Sequence, residues 1–136
     1  MRDENCIFCK IIAGEIPSNT IYEDDEFKVV LDVSPASKGH ALILPKQHYA
    51  NMFEMDDEVL AKAAKLAKKV ITHEKEVLGC DGYNVLQNNG EAAGQTVFHF
   101  HMHLIPRKAG DQAVPEWEHL SLSDDEMKEI CDKMKM

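Results

Sequence analysis

Apolar and polar residues alternate in several short segments of the first half of the chain, a period of two that predicts β-strands. Residues 21–22 and 27–32 are two such segments, separated by an acidic turn. Residues 40–44 predict a third strand, which we expect Pro45 to close because proline lacks a backbone donor. Short connections between these segments favour antiparallel pairing.

From residue 57 to residue 78 the apolar positions recur every three or four residues, which predicts one long amphipathic helix. Gly79 follows as its C-terminal stop. Residues 6–13 predict a shorter helix, and Ser123 with Glu126 predicts a capping box for a helix near the C-terminus.

Two further strands are predicted over residues 83–87 and 97–105. The fold class expected from all these segments is α+β. It consists of an antiparallel sheet of about five strands, one long helix and short terminal helices.

The last predicted strand carries three histidines at alternate positions, His99, His101 and His103. A straight strand places all three on one face, and its other face carries the apolar residues Phe98, Phe100, Met102 and Leu104. We expect Pro106 to end this strand. A rise of about 3.3 Å per residue separates the outer histidines by about 13 Å, too far for all three to bind one zinc ion. The three histidines are therefore expected to have different roles.

Composition narrows the classes of function. The chain has 136 residues, 44% hydrophobic and 29% charged, which predicts a single globular domain. We expect a core over residues 5–108 and a tail with a helix over residues 109–136. A net charge of −9 argues against binding of nucleic acid polymers, which requires a basic surface. Neither a signal peptide nor a membrane span is recognisable, so we expect a cytoplasmic protein without a membrane partner.

Cys6 and Cys9 are separated by two residues. In a reducing compartment such a pair supplies metal ligands or remains as buried thiols, and the spacing alone leaves both interpretations open. Thiolates together with imidazoles form a good tetrahedral zinc site.

The segment before the histidines, residues 88–96, contains amides, glycines and a hydroxyl that can approach phosphate oxygens. The same residue types are typical of ordinary turns. Phosphoryl transfer requires donors around the phosphate oxygens and an in-line nucleophile, and a neutral imidazole can serve as that nucleophile. The central histidine, His101, is the best placed of the three.

Residues 94–105 (GQTVFHFHMHLI) resemble the signature of the histidine triad (HIT) family, His-φ-His-φ-His-φ-φ, where φ is apolar. The resemblance extends over residues 5–108, and it is to the nucleotide-binding branch of the bacterial, zinc-containing type. It implies the HIT-like fold. The branch of galactose-1-phosphate uridylyltransferases is less similar, because its central motif is His-Pro-His.

The resemblance implies a nucleotide hydrolase or transferase. His101 would attack the α-phosphorus of a purine nucleoside 5′-phosphoramidate or related conjugate, and the nucleotidyl-histidine formed would release a nucleoside monophosphate. It also implies that His103 contacts the phosphate and assists the leaving group, and that His40 supports the nucleophile.

Further positions are implied by the same resemblance. The expected nucleotide-binding residues are Asp32 for the ribose, Asn88, Gly94 and Thr96 for the phosphate, and Phe8, Ile11, Leu31, Val33 and Leu42 for the base. Judged from the residues alone, Asp32 could be an ordinary acidic residue of a turn, and the five apolar residues could belong to the hydrophobic core. A structural zinc is expected at Cys6, Cys9, His48 and His99, with no organic cofactor. The chain is expected to form a homodimer.

Three alternatives remain open at this point. The same scaffold could hydrolyse dinucleoside polyphosphates, or it could be a nucleotide-binding adaptor with incidental turnover. A module that only binds metal through its histidines is the third.

Overall fold

The computed structural model describes residues 2–136 and contains a five-stranded antiparallel sheet, which confirms the predicted α+β class. The strands are β1 (Thr20–Glu23), β2 (Phe27–Leu31), β3 (Ala41–Pro45), β4 (Gly82–Leu86) and β5 (Met102–Arg107), in the spatial order β1-β2-β3-β5-β4. The α-helices are α1 (Ile7–Ile12), α2 (Asp57–Leu78) and α3 (Asp124–Met134), and short 3-10 turns occupy Met52–Glu54 and Glu91–Ala93. Over residues 2–136, the helices lack the combination of length and apolar character needed to cross a bilayer.

The long helix α2 covers one face of the sheet. Asp56 caps its N-terminus by accepting hydrogen bonds from two backbone amides of the first turn, and Gly79 ends it in the left-handed conformation. Its buried residues Ala63, Ala67 and Val70 pack in one cluster with residues of β2, β3 and β5. The bounds predicted from the sequence are therefore confirmed.

The short helix α1 covers the opposite face. Phe8 and Ile11 pack there against Val30, Leu42 and Leu44. Val30 of β2 is the register partner of Leu42 of β3, so both side chains leave the sheet on the α1 side. Strand alternation then sends the neighbouring residues of β2 toward α2.

The predicted bounds of the histidine strand are wrong at both ends. β5 begins at Met102, and the preceding residues bend so that the Phe100 amide donates to Tyr49 O at 2.7 Å. At the other end β5 continues through Pro106, which pairs with Tyr83 of β4. Pairing with β3 stops at Leu104, so proline is tolerated where β5 has a neighbour on only one side.

The bend also changes which apolar residues anchor the segment. Phe100, Met102 and Leu104 are buried as predicted. Phe98 was expected with them, but it is 47% exposed because the chain has left the strand conformation there.

Candidate active site and metal centre

His101 lies just before β5 on the α1 side of the sheet. Its Nδ1 donates a hydrogen bond to the backbone carbonyl of His99 at 2.8 Å. A carbonyl oxygen can only accept, so the proton of the neutral imidazole is on Nδ1. Nε2 therefore carries the lone pair that a nucleophile requires.

A chain of hydrogen bonds fixes the second imidazole of the site. The Ala36 amide donates to His40 Nδ1 at 2.9 Å, which leaves the proton of neutral His40 on Nε2. That atom lies 2.9 Å from His103 Nδ1. His103 consequently accepts at Nδ1 and keeps its own proton on Nε2, where it can donate to a ligand.

The structure places His40 in direct contact with His103 and not with His101. Side chains alternate along β5, and the register pairs His103 directly with Leu42, two residues after His40, which brings the two imidazoles together. His40 therefore orients His103.

Asp32 lies beside His40 at the end of β2. One carboxylate oxygen, Oδ2, is 3.5 Å from His40 Nε2, and Oδ1 accepts from the Ser34 amide at 2.8 Å. Asp32 is thus both a turn residue and a neighbour of the histidines. Its side chain is 17% exposed, so the carboxylate is still accessible to a ligand.

Burial controls the charge of the imidazoles. It lowers the pKa of His103 to about 4, and the nearby His101 and His40 lower that pKa further, while the Asp32 carboxylate opposes the shift. Burial also lowers the pKa of His101 and of His40. All three imidazoles are therefore neutral near pH 7. The hydrogen bonds that His40 and His103 accept at Nδ1 require the same.

The apolar side of the site is only partly the predicted one. The Phe8 ring lies edge-on to His101 with 5.0 Å between ring centroids, and Ile11 and Leu42 are in the same cluster. Leu31 and Val33 do not join it. Leu31 packs with the α2-side core, and Val33 is 91% exposed beyond the end of β2.

Val30 was missed in place of Leu31. The sequence does not show which of two neighbouring residues near the end of a strand faces a given side of the sheet. A shift of one residue moves a side chain to the other face. The short connection between β2 and β3 could have shown that residue 30 pairs with residue 42 and so faces the same side as Leu42.

The loop before the histidines is held by one buried amide side chain. Gln95 is 2% exposed; its Oε1 accepts from the Gly90 amide at 2.8 Å and its Nε2 donates to Ala50 O at 2.7 Å. No pattern in the sequence distinguishes Gln95 from the other polar residues of this loop. Its buried hydrogen bonds fix the course of the loop that leads into the histidines.

Two of the three predicted phosphate-loop residues are neighbours. Gly94 has φ of +94°, and a Cβ built on it would lie 3.5 Å from Asn88 Nδ2. Thr96 is exposed two residues later and borders a surface hollow shared with Cys6 and His48.

The four predicted metal ligands converge. The sulfurs of Cys6 and Cys9 and the Nδ1 atoms of His48 and His99 all lie within 4.8 Å of one another. Cys6 Sγ is 3.4 Å from His99 Nδ1, Cys9 Sγ is 3.4 Å from His48 Nδ1, and the two nitrogens are 3.1 Å apart. Zinc bonds of about 2.0–2.3 Å in a tetrahedron separate neighbouring ligand atoms by about 3.3–3.8 Å, close to these distances. The cluster is a possible Cys2His2 metal site.

Outer hydrogen bonds favour the same interpretation. His99 Nε2 donates to Pro45 O at 2.8 Å, which leaves a lone pair on Nδ1, toward the cluster. Burial lowers the pKa of His99 to about 4, so this nitrogen is unprotonated at neutral pH. Cys6 also caps α1 by accepting from the Cys9 amide at 3.3 Å, which sets the positions of both sulfurs.

A family model described as HIT domain matches residues 13–110, which include the histidines and the loop before them. The chain belongs to the HIT family.

Full-length relatives support this membership. The adenosine 5′-monophosphoramidase hnt1 of Schizosaccharomyces pombe is 42% identical over 136 residues, covering 96% of this HIT protein and 99% of the relative. The crystal structure of a HIT family member from Bacillus subtilis has a TM-score of 0.88 at 39% identity, covering 96% of this chain and 95% of that one. A Zn-bound histidine triad family protein from Mycobacterium smegmatis has a TM-score of 0.78 at 37% identity, covering 84% and 83%.

Proposed function

We propose that this HIT protein hydrolyses purine nucleoside 5′-phosphoramidates or related nucleotidyl conjugates at the α-phosphorus and releases a nucleoside monophosphate. The observation that carries the proposal is the hydrogen bond from His101 Nδ1 to the His99 carbonyl, because it directs a lone pair onto Nε2. Similarity along nearly the whole chain to a protein named adenosine 5′-monophosphoramidase supports the choice of substrate.

In the first step, His101 Nε2 attacks the α-phosphorus. A P–N bond to the imidazole forms while the bond to the leaving amine breaks. The amine keeps the electron pair of that bond and takes up a proton from solvent. The imidazole becomes cationic as it reacts, and its Nδ1–H remains bonded to the His99 carbonyl, which stabilises the developing charge.

In the second step, water attacks the phosphorus and the bond to His101 Nε2 breaks. The imidazole leaves with the electron pair of that bond and is neutral again, and the proton lost by the attacking water passes to solvent. His103 donates from Nε2 to a phosphate oxygen or the departing atom throughout the cycle. Its low pKa keeps it neutral, so it acts as an oriented donor and not as a fixed positive charge.

The nucleoside is proposed to bind on the α1 side of the sheet. Asp32 accepts hydrogen bonds from the ribose hydroxyls, and Phe8, Ile11 and Leu42 contact the base, with Val30 behind them. Support comes from the clustering of these apolar side chains beside the His101 ring. Asn88, Gly94 and Thr96 are proposed to approach the phosphate.

We further propose that Cys6, Cys9, His48 and His99 bind a structural zinc ion. The ion would supply a cross-link between the start of α1, the segment after β3 and the histidine segment. The ligand geometry supports this, as does the zinc bound by the Mycobacterium smegmatis relative. Since the His99 imidazole is a ligand in this proposal, it takes no part in the reaction, and His99 contributes only its backbone carbonyl.

The chain is also proposed to form a homodimer through β4. This strand lies at the edge of the sheet, pairs on one side with β5 and is open on the other. An open antiparallel edge offers unpaired backbone groups to a second copy, and Val85 on this strand is an apolar residue that is 46% exposed.

Release of a fluorescent amine from an adenosine 5′-phosphoramidate tests the proposed reaction. Wild type is expected to turn over, and His101→Ala is expected to lose about three or more orders of magnitude in kcat. The matched control is His119→Ala, an exposed histidine of the tail, which should retain the wild-type rate. Equal rates for wild type and His101→Ala would overturn the assignment of the nucleophile. Cleavage of dinucleoside polyphosphates instead would move the proposal to that substrate class.

A further inference from the structure

A second group of metal-ligating side chains lies in the proposed active site. Asp32, His40 and His103 each place one ligand atom within 4.8 Å of the other two. His40 Nε2 is 2.9 Å from His103 Nδ1 and 3.5 Å from Asp32 Oδ2. Zinc bonds of about 2.0–2.1 Å in a tetrahedron separate such atoms by about 3.3–3.4 Å. By spacing alone, this histidine–aspartate cluster resembles a zinc site with two imidazoles and a carboxylate.

The backbone partner of each imidazole decides whether that imidazole can bind a metal. A histidine that binds zinc through one ring nitrogen usually donates from the other to an oxygen. His99 has this arrangement, since its Nε2 donates to Pro45 O at 2.8 Å and its Nδ1 faces the cysteine sulfurs. His40 has the reverse arrangement. Its Nδ1 accepts from the Ala36 amide at 2.9 Å, so the proton of the neutral ring stays on Nε2, the atom that would have to bind the ion.

Zinc binding at His40 would require its proton to move. With Nε2 bound to the ion, the neutral ring carries its proton on Nδ1, which would point at the Ala36 N–H across 2.9 Å. Two donors would then face each other, and a hydrogen bond of a ring that is 5% exposed would be lost. Turning the ring over does not help, because carbon atoms then take the places of both nitrogens. The other two ligands, His103 and Asp32, are too few for a tight zinc site.

We propose that the Ala36 amide keeps zinc out of the histidine–aspartate cluster and so confines the ion to the Cys2His2 cluster. This inference rests on the proposed zinc site and on the proposed role of His103. A zinc ion on His103 Nδ1 would replace the hydrogen bond from His40 and would bind the carboxylate that is proposed to hold the ribose. Exclusion of the ion therefore leaves the active-site imidazoles free while the chain takes up metal. Ala36 is a positioning residue that acts through its backbone N–H.

Imidazole ¹⁵N spectra of the wild-type chain during a zinc titration test the proposal without a substrate. His40 should show a protonated Nε2 and an unprotonated Nδ1. The first equivalent of zinc should shift the signals of His48 and His99, and further zinc should leave those of His40 and His103 unchanged. A protonated Nδ1 on His40, or zinc-dependent shifts of His40 and His103, would overturn the proposal. Unchanged signals of His48 and His99 would also overturn it, because the ion would then have no Cys2His2 site. Hydrolysis plays no part in the measurement, so a failure of the proposed reaction gives a separate result.

Two substitutions at one position identify the amide as the cause. Ala36→Pro removes the N–H donor, which allows His40 to carry its proton on Nδ1 and to bind zinc through Nε2. Equilibrium dialysis should then show a second zinc ion bound at least about tenfold more tightly than in wild type, the equivalent of one hydrogen bond. The matched control, Ala36→Ser, keeps the donor and should bind zinc as wild type does. Equal affinities for a second ion in Ala36→Pro and wild type would exclude the amide as the cause. If Ala36→Pro fails to fold, the wild-type spectra still decide the proposal.

Discussion

At the scale of the residue, backbone carbonyls determine which nitrogen is free in two of the three triad histidines, His99 and His101. The Pro45 carbonyl binds Nε2 of His99 and frees its Nδ1 for the metal cluster, whereas the His99 carbonyl binds Nδ1 of His101 and frees its Nε2. Neighbouring imidazoles therefore expose opposite nitrogens. A division of roles was predictable from the spacing, but the tautomers were not, since one of the two carbonyls is 54 positions away along the chain.

His40 fixes the tautomer of His103 through its hydrogen bond. In His40→Ala, His103 Nδ1 loses its donor, and kcat/KM should fall by about 5–150-fold, the equivalent of about 1–3 kcal/mol for a buried acceptor left without a partner. His40→Gln can still donate from its amide and should recover part of that loss. Steady-state kinetics with the fluorescent phosphoramidate measures both variants. A wild-type rate in His40→Ala would show that the hydrogen bond to His103 does not matter for the reaction.

The second prediction concerns pH and stability. The pKa of His103 is about 4 in the folded chain and near 6.5 when unfolded, so between these values the unfolded state binds more protons. Its contribution to stability is complete above about pH 6.5 and is lost as the pH falls toward 4. Urea unfolding from pH 7.5 to pH 5, with zinc saturating throughout, should show stability falling faster in wild type than in His103→Asn. Parallel curves for the two proteins would contradict the assignment.

At the scale of the element, α1 illustrates why the metal cluster matters. It spans only Ile7–Ile12, and a helix this short has little stability of its own. Its N-terminus is capped by the Cys6 sulfur, which accepts from the Cys9 amide, and its apolar side packs against Val30 and Leu42. Loss of the proposed zinc ion should therefore loosen α1 and, with it, the Phe8 side of the proposed nucleotide site.

Zinc content and thermal stability test this expectation. Wild type should contain one zinc ion per chain, and chelation should lower its Tm. Cys9→Ser should lose both the metal and the stability that it confers. The matched control is Cys131→Ser, which replaces an exposed cysteine of α3 and should behave as wild type. Equal zinc content in the two variants would rule out the proposed ligand set.

The elements also differ in how far the sequence determines them. The bounds of α2 follow from Asp56 and Gly79, whose effects are local. The segment before β5 depends instead on a hydrogen bond from Phe100 to Tyr49, a distant residue that alternation of apolar positions cannot reveal. The register between β2 and β3 likewise decides which side of the sheet Val30 and Leu31 face, and the sequence analysis named Leu31 where the structure has Val30 on the α1 side.

At the scale of the whole molecule, the sheet separates two environments. The α1 side carries the histidines, Asp32 and the metal cluster, and the α2 side carries the main core. The net charge of −9 repels an anionic phosphate. We expect the proposed site to bind a phosphate nevertheless, because its neutral imidazole and amide groups donate hydrogen bonds to the phosphate oxygens.

The open edge of β4 gives a prediction at this scale. Light scattering after size exclusion should report twice the 15.4 kDa of one chain. Val85→Arg places a charge on the strand proposed to join the two sheets and should shift the equilibrium toward the monomer. If the wild-type protein has the mass of one chain at micromolar concentration, the proposed dimer is wrong.

Trapping the covalent intermediate tests the nucleophilic role of His101 most directly. Rapid acid-free quenching during turnover of an adenosine 5′-phosphoramidate, followed by tandem mass spectrometry, locates any adenylyl group on the chain. We predict an adduct on His101 that is absent from His101→Ala and disappears as substrate is exhausted. Turnover without any adduct, or an adduct on His103 instead, would contradict the nucleophilic role assigned to His101.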